Sequence, residues 1–118
     1  MATVLVIDDD PDIREIVKLM LQGHTTITAG DGEEGLNICR QSLPDLVLVD
    51  IVMPRKEGIE TIIDLRKNWP DLPIIAMSGA GRGSNQDYLK DAVALGANKM
   101  IAKPFKAADL RQAISEFI

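Results

Sequence analysis

The stretch TVLVIDDDPD, residues 3–12, joins a short apolar run to a cluster of carboxylates. Residues 3–7 are apolar or β-branched without alternating polar positions, which is typical of a strand buried on both faces of a parallel sheet. Pro11 is favoured in the first turn of a helix, and Asp10 before it is a good N-cap residue. The stretch therefore predicts a buried strand that ends in acidic residues and leads directly into a helix.

Four more short apolar runs follow along the chain, at residues 25–28, 46–49, 74–77 and 99–102. The run at 25–28 is rich in Thr and is predicted to be an edge strand. Segments between the runs, and after the last one, carry apolar residues at helical spacing. The five predicted helices have these residues at 13–21, 36–39, 59–65, 89–95 and 110–117.

Alternating strands and helices predict one α/β domain over residues 1–118, and a chain of this length suits a single domain. Short right-handed crossovers would make the sheet parallel and doubly wound, with helices on both faces. Such sheets bind ligands beyond the carboxyl ends of their strands. Functional side chains are therefore expected directly after each apolar run.

Composition excludes several classes of protein. A formal net charge of −5 argues against a nucleic-acid-binding surface, so no direct contact with nucleic acid is expected. A single cysteine, Cys39, cannot form an intramolecular disulfide and fits a reducing compartment. No apolar run approaches the roughly 18 residues of a membrane span, and the first residues do not resemble a signal peptide. We expect a cytoplasmic protein without membrane contact.

Reactive side chains follow four of the five predicted strands. They are the carboxylates of Asp8, Asp9 and Asp50, the hydroxyl of Ser78 and the ammonium of Lys103. Oxygen ligands without His or Cys suit a hard cation such as Mg²⁺. A phosphoryl group on one carboxylate would need such a cation, a lysine and a hydroxyl to hold its oxygens. The residues at this edge therefore predict magnesium-assisted phosphoryl chemistry.

Several spaced motifs occur together: the acidic pair after the first strand, VDIVMP (49–54), MSGA (77–80) and KPF (103–105). With these motifs the chain resembles the receiver domain of two-component response regulators over its whole length. The resemblance implies a flavodoxin-like sheet of strand order 2-1-3-4-5. It also implies that Asp50 accepts a phosphoryl group from a phosphohistidine.

The resemblance assigns a role to each residue at the strand ends. Asp8, Asp9 and Asp50 would bind Mg²⁺, with the backbone carbonyl of Met53 or a near neighbour as a further ligand. Ser78 would contact the phosphoryl group and Lys103 would pair with it. The peptide bond between Lys103 and Pro104 is often cis in the family, which gives Pro104 a structural role.

The resemblance also implies partners. A sensor histidine kinase or a phosphotransfer protein would donate the phosphoryl group, and an unknown output protein would bind the face of the fourth helix, fifth strand and fifth helix. The domain would take part in its own phosphorylation and slow dephosphorylation without turning over a separate metabolite. The initial Met and a complete last helix favour a stand-alone protein over a domain cut from a larger regulator.

Two features depart from the family. Ser78 and Met100 occupy the two switch positions of the family, but receivers usually carry an aromatic residue where this chain has Met100, and a flexible thioether can fill the same space without the ring and hydroxyl of the usual rotameric switch. The segment SGAGRGSNQDYL (78–89) is a few residues longer than is common, and we expect the change on phosphorylation to concentrate there.

Two other functions compete with this interpretation. Phosphohydrolases with an aspartyl nucleophile use similar strand-end residues, but they usually carry a second acid two residues after the nucleophile, where this chain has Val52. A binding module that is never phosphorylated is disfavoured by the intact set of aspartates. His24, the single histidine, is predicted to be structural or exposed and not a phosphohistidine carrier, since it precedes the second strand.

Overall fold

The computed structural model describes residues 2–51, 57–78 and 96–118. Three sequence predictions fall outside these ranges: Met53 as a metal ligand, the long segment after the fourth strand, and the fourth helix. Within the described ranges, all five predicted strands are confirmed to within one residue at each end. The strands are β1 (Thr3–Ile7), β2 (Thr25–Ala29), β3 (Leu46–Asp50), β4 (Ile74–Ser78) and β5 (Lys99–Ala102).

Four helices lie in the described part of the chain: α1 (Pro11–Met20), α2 (Gly32–Gln41), α3 (Glu57–Asn68) and α4 (Ala107–Ser115). The last of these, α4, is the predicted fifth helix. None of the helices among the described residues is long and apolar enough to cross a membrane.

The five strands form one parallel sheet in the order β2-β1-β3-β4-β5, which confirms the predicted doubly wound, flavodoxin-like arrangement. The register pairs Ile7 of β1 with Val49 of β3, and Asp50 of β3 with Met77 of β4. It also pairs Ser78 with Ala102 on β5. The strands β1, β3, β4 and β5 therefore all end at the carboxyl end of the sheet, and the residues that follow them lie there.

Two apolar clusters cover the two faces of the sheet. Along β1 the side chains alternate, with Leu5 and Ile7 in the cluster under α2 and α3, and with Val4 and Val6 in the cluster under α1 and α4. All residues of β3 and β4 are buried, whereas β2 and β5 at the edges are mostly half-buried. The unbroken apolar runs in the sequence thus mark the central strands, and the Thr-rich run marks an edge, as predicted.

Local signals for helix starts are also confirmed. A side-chain oxygen of Asp10 accepts a hydrogen bond from the backbone of Asp12 at 2.9 Å, with Pro11 as the first helical residue. At the start of α2, Asp31 accepts from the backbone of Glu34 at 2.8 Å. These bonds satisfy backbone N–H groups that lack a partner inside the helix.

Two apolar residues of the predicted helices are exposed. Ile16 on α1 is 45% exposed and Ile63 on α3 is 41% exposed, although both share the apolar spacing of buried neighbours. Val17 and Ile62, one position away in each helix, are fully buried. Residues at the margin of an apolar stripe are carried toward solvent, because the sheet covers only part of each helix surface.

Candidate functional site

Asp8 is the first residue after β1, and hydrogen bonds fix both its backbone and its side chain. Its N–H donates to the carbonyl of Ala29 on β2 at 3.1 Å. One carboxylate oxygen accepts from the backbone of Asp10 at 2.9 Å, and the other accepts from Nζ of Lys103 at 2.7 Å. The residue is fully buried, so its carboxylate has a defined position next to β3.

Asp50 is the last residue of β3 and is 4% exposed. Nζ of Lys103 lies 3.4 Å from one of its carboxylate oxygens. The first turn of α3 lies directly against its backbone at Gly58, where an added Cβ would overlap the carbonyl oxygen of Asp50 and Cα of Ile51. Glycine at this position therefore allows α3 to approach the end of β3.

Asp8, Asp9 and Asp50 each present a carboxylate oxygen, and the three oxygens lie within 4.8 Å of one another. Asp8 and Asp50 are buried, whereas Asp9 is exposed to solvent. An all-oxygen donor set from carboxylates matches the preference of Mg²⁺, which keeps several waters and uses few protein ligands. The predicted ligands among the described residues thus come together and fit this cation.

Lys103 follows β5 and places its ammonium between two of these carboxylates. Its side chain is 15% exposed. Burial lowers the pKa of Lys103, but the hydrogen bond to Asp8 and the charges of Asp50 and Asp8 outweigh burial, so the pKa is raised above its usual value. Lys103 is consequently charged at neutral pH, and it partly neutralises the carboxylates.

Ser78 ends β4 and is 1% exposed. Because Asp50 pairs with Met77, Ser78 lies one residue farther along the neighbouring strand. Its carbonyl accepts a hydrogen bond from the backbone of Lys103 at 2.8 Å, which ties the end of β4 to the segment after β5. The peptide bond between Lys103 and Pro104 is cis.

Two further residues that the sequence analysis named are Met100 and His24. Met100 is half-buried on β5 and packs against the cluster under α2 and α3, so it fills the core. His24 lies immediately before β2, at the opposite end of the strands from Asp50, and its Nδ1 accepts from the backbone of Ala2 at 3.3 Å. His24 is therefore remote from the carboxylates.

Sequence reasoning missed two residues that support the site. Gly58 lies inside a helical pattern, and an isolated glycine there often marks close packing, so a signal was present. Arg14 donates from Nη1 to the carbonyl of Asp8 at 2.7 Å. The helical spacing of apolar residues in α1 gave no indication of this contact, because it depends on how a long side chain folds back.

An apolar groove adjoins Lys103. It has a volume of about 320 Å³ and lies between α1 and the segment after β5. The residues that line it are Ile13, Ile16, Val17, Met20, Lys103, Pro104 and Phe105.

The family model of the response regulator receiver domain matches residues 4–115. The chain belongs to this family. The receiver domain spans almost all of the described fold, and the carboxylates and lysine at the strand ends lie inside the matched region. It is therefore a signalling module of two-component regulation, as the sequence motifs predicted.

Relatives and solved structures agree with this assignment. The receiver is 36% identical to a protein named probable C4-dicarboxylate response regulator DctR from Bacillus subtilis, over 97% of this chain and 51% of that protein. It is 36% identical to a probable transcriptional regulator, ycf27, from Guillardia theta, over 94% of this chain and 43% of the relative. The chain thus spans about half the length of these curated relatives.

Among solved structures, the receiver domain of NtrX from Brucella abortus is 35% identical, with a TM-score of 0.89, over 96% of this chain and 95% of that one. The chemotaxis protein CheY4 from Vibrio cholerae is 28% identical, with a TM-score of 0.88, over 100% of this chain and 99% of that one. The whole chain is therefore similar in fold to isolated receivers.

Proposed function

We propose that the receiver accepts a phosphoryl group on Asp50 from the phosphohistidine of a histidine kinase or phosphotransfer protein. The observation that carries this proposal is the meeting of the three carboxylates of Asp8, Asp9 and Asp50 with the ammonium of Lys103. Family membership supports Asp50 as the acceptor, because this carboxylate ends the central strand β3 within the matched region.

In the transfer, a carboxylate oxygen of Asp50 attacks phosphorus in line with the phosphorus–nitrogen bond. The oxygen–phosphorus bond forms as the phosphorus–nitrogen bond breaks, and the imidazole keeps the electron pair. Mg²⁺ held by Asp8, Asp9 and Asp50, with the carbonyl of Met53 as a further ligand, would offset the negative charge on the phosphoryl oxygens. Two of these carboxylates are buried and fixed in place, which favours a defined geometry.

Lys103 and Ser78 would hold the transferred group. Nζ of Lys103 lies 3.4 Å from an Asp50 carboxylate oxygen, so a small movement away from Asp8 would bring it to a phosphoryl oxygen. The Ser78 hydroxyl would contact another phosphoryl oxygen from the end of β4. Water would later hydrolyse the acyl phosphate slowly and restore the resting state.

The output partner would bind the surface of the predicted fourth helix, β5 and α4. An ion pair between Lys99 on β5 and Glu116, the residue that caps α4, joins two of these elements on the protein surface. Contacts of Ser78 and Lys103 with the phosphoryl group would change the ends of β4 and β5, which support this surface. The cytoplasmic location remains a prediction.

The phosphodonor would contact the apolar groove beside Lys103. Its histidine must reach Asp50, and the groove borders the ammonium that lies next to Asp50. Ile16, which lines the groove, is 45% exposed. An exposed apolar side chain in the groove beside Lys103 suits a protein donor with an apolar surface of its own.

Phosphorylation with a small donor tests the proposal. The receiver is incubated with Mg²⁺ and acetyl phosphate, and intact mass spectrometry follows the gain of one phosphoryl group; the phosphoryl mimic beryllofluoride is added in parallel and amide chemical shifts are recorded. We expect an adduct that needs Mg²⁺ and is lost in Asp50→Asn. Asp64→Asn, a matched change at an exposed aspartate of α3, should leave it intact.

An adduct that survives Asp50→Asn would overturn the assignment of the acceptor. Absence of any adduct or shift in the unmodified protein would favour a binding module that is never phosphorylated. Steady release of phosphate from many phosphate monoesters would instead favour a phosphohydrolase.

A further inference from the structure

Arg14 lies on the first turns of α1 and contacts the connection between β1 and α1 twice. Its backbone N–H donates to the carbonyl of Asp10 at 3.2 Å, as expected within a helix. Its guanidinium Nη1 donates to the carbonyl of Asp8 at 2.7 Å. The second bond spans six residues and holds the backbone of a carboxylate residue that is itself buried.

The neighbouring connection, between β2 and α2, leaves room for this guanidinium. A Cβ added at Gly30 would lie 3.3 Å from Nη1 of Arg14, so a side chain there would crowd the arginine. The backbone N–H of Gly30 is in turn 3.3 Å from a carboxylate oxygen of Glu34. Arg14 thus lies against both connections at this end of β1 and β2.

We propose that Arg14 is a positioning residue for the cation site, which holds the backbone of Asp8 while its carboxylate exchanges partners. The proposal rests on the proposed function, in which Mg²⁺ binds Asp8, Asp9 and Asp50. Without the cation, Lys103 holds one Asp8 oxygen at 2.7 Å. If a bound cation took that oxygen, Lys103 would leave it, whereas the bond from Arg14 to the carbonyl would persist.

The position and the charge of the Arg14 guanidinium should change Mg²⁺ affinity in opposite directions. A guanidinium near the site repels Mg²⁺, so loss of its charge alone would tighten Mg²⁺ binding. Loss of a group that positions a ligand would weaken Mg²⁺ binding, because part of the binding free energy would then be used to order the segment between β1 and α1. The sign of the change in affinity therefore distinguishes the two roles.

The test is a Mg²⁺ titration of Arg14→Ala in the full chain, monitored through the backbone amide shifts of residues 8–10. We expect the dissociation constant to rise about tenfold, the lower end of the effect of losing a group that holds a metal ligand. Arg14→Lys keeps the charge and one donor, and should recover part of the affinity. At saturating Mg²⁺ the rate of phosphorylation by acetyl phosphate should approach that of the unmodified protein.

Arg111→Ala is the matched control. Nε of Arg111 donates to the carbonyl of Met20 at 2.8 Å. The substitution therefore also removes a bond from an arginine to a backbone carbonyl, but at the opposite end of α1. A structural role alone would lower the melting temperature of both variants and leave both dissociation constants unchanged. We expect a changed dissociation constant in Arg14→Ala only.

The outcomes separate this inference from the proposed function. Unchanged or tighter Mg²⁺ binding by Arg14→Ala, in a protein that binds Mg²⁺ without the substitution, would overturn the positioning role alone. If Arg14→Ala does not fold, Arg14→Met, which keeps the length of the side chain but removes its donors, decides, and Mg²⁺ affinity equal to or higher than that of the unmodified protein would overturn the positioning role. No Mg²⁺ binding by the unmodified protein would overturn the proposed cation site, and with it this inference.

Discussion

Lys103 and Asp8, 95 residues apart in the chain, form a hydrogen-bonded ion pair at 2.7 Å. The pair joins the residue after β5 to the residue after β1, across the ends of β3 and β4. The ammonium also lies 3.4 Å from Asp50, so it occupies the space between two carboxylates of the candidate cation site. Lys103 is thus an internal counter-ion for the residues that we propose to bind Mg²⁺.

Replacement of this counter-ion should make the receiver bind Mg²⁺ more tightly. In Lys103→Met the cation no longer competes with an ammonium for Asp8, so the dissociation constant should fall several-fold. Without Mg²⁺ the variant should be less stable by about 2 kcal/mol, since a buried carboxylate loses a charged hydrogen bond. Calorimetric titration and urea unfolding, each with and without Mg²⁺, measure both effects.

Lys99→Met provides the control for this substitution. Lys99 is the first residue of β5, the strand that Lys103 follows, and it pairs with Glu116, but its side chain is 38% exposed. An exposed ion pair contributes little to stability, and this one is remote from the carboxylates, so Mg²⁺ affinity should not change. Weaker Mg²⁺ binding in Lys103→Met would show that the lysine supports the cation and does not compete with it.

The pH dependence of stability should report the same ion pair. The pKa of Lys103 is raised in the folded protein above the usual value of a lysine, so the pair contributes fully below about pH 10.5. The contribution should be lost as pH rises through the raised pKa of the folded state. The stability difference between the unmodified protein and Lys103→Met, measured by urea unfolding without Mg²⁺, should therefore be constant near neutral pH and shrink above about pH 10.5.

A difference that already shrinks between about pH 7 and pH 9 would contradict a raised pKa for Lys103. The other lysines and the tyrosine titrate in both proteins, so their contributions cancel in the difference between the two free energies of unfolding.

Gly58→Ala should disturb the site through the backbone. The added Cβ would overlap the carbonyl of Asp50 and Cα of Ile51, and backbone atoms cannot move aside as a side chain can. We expect a loss of about 3 kcal/mol in the free energy of unfolding, at the upper end for overpacking. Because the end of β3 must shift, Mg²⁺ binding should also weaken.

Gly35→Ala is the comparison for this substitution. Its added Cβ would meet the side-chain end of Ile7 in the core under α2, where the neighbour is a flexible side chain and not backbone. Stability should fall less than in Gly58→Ala, and Mg²⁺ affinity should be retained. Equal Mg²⁺ affinities for the two alanine variants would show that close packing at Gly58 does not position Asp50.

The sequence predicted the sheet well, because central and edge strands have different compositions. Buried strands such as β3 are apolar at every position before Asp50, and the edge strand β2 is rich in Thr. Parallel strands bring their carboxyl ends together, so the prediction that Asp8, Asp50 and Lys103 lie at the same end of the sheet followed from topology. The spaced motifs then identified the family.

Contacts made by long side chains could not be predicted in the same way. Lys103 could have pointed to solvent, and only the folded positions of β1 and β5 show that it reaches Asp8. The bond from Arg14 to the Asp8 carbonyl likewise depends on the direction of a long side chain, which the sequence does not fix. Exposure of Ile16 depends on how far α1 is rotated against the sheet, which apolar spacing alone does not fix.

Asp9 and Asp10 should respond differently to the same substitution. Asp10 caps α1 through its bond to Asp12, and asparagine caps a helix about as well, so Asp10→Asn should change stability by less than about 0.5 kcal/mol and keep Mg²⁺ affinity. Asp9→Asn removes a carboxylate of the cation site and should weaken Mg²⁺ binding about tenfold, or 1.4 kcal/mol. Amide-shift titrations of both variants measure the two affinities. Equal losses would refute the division of this acidic triplet into a metal pair, Asp8 and Asp9, and a helix cap, Asp10.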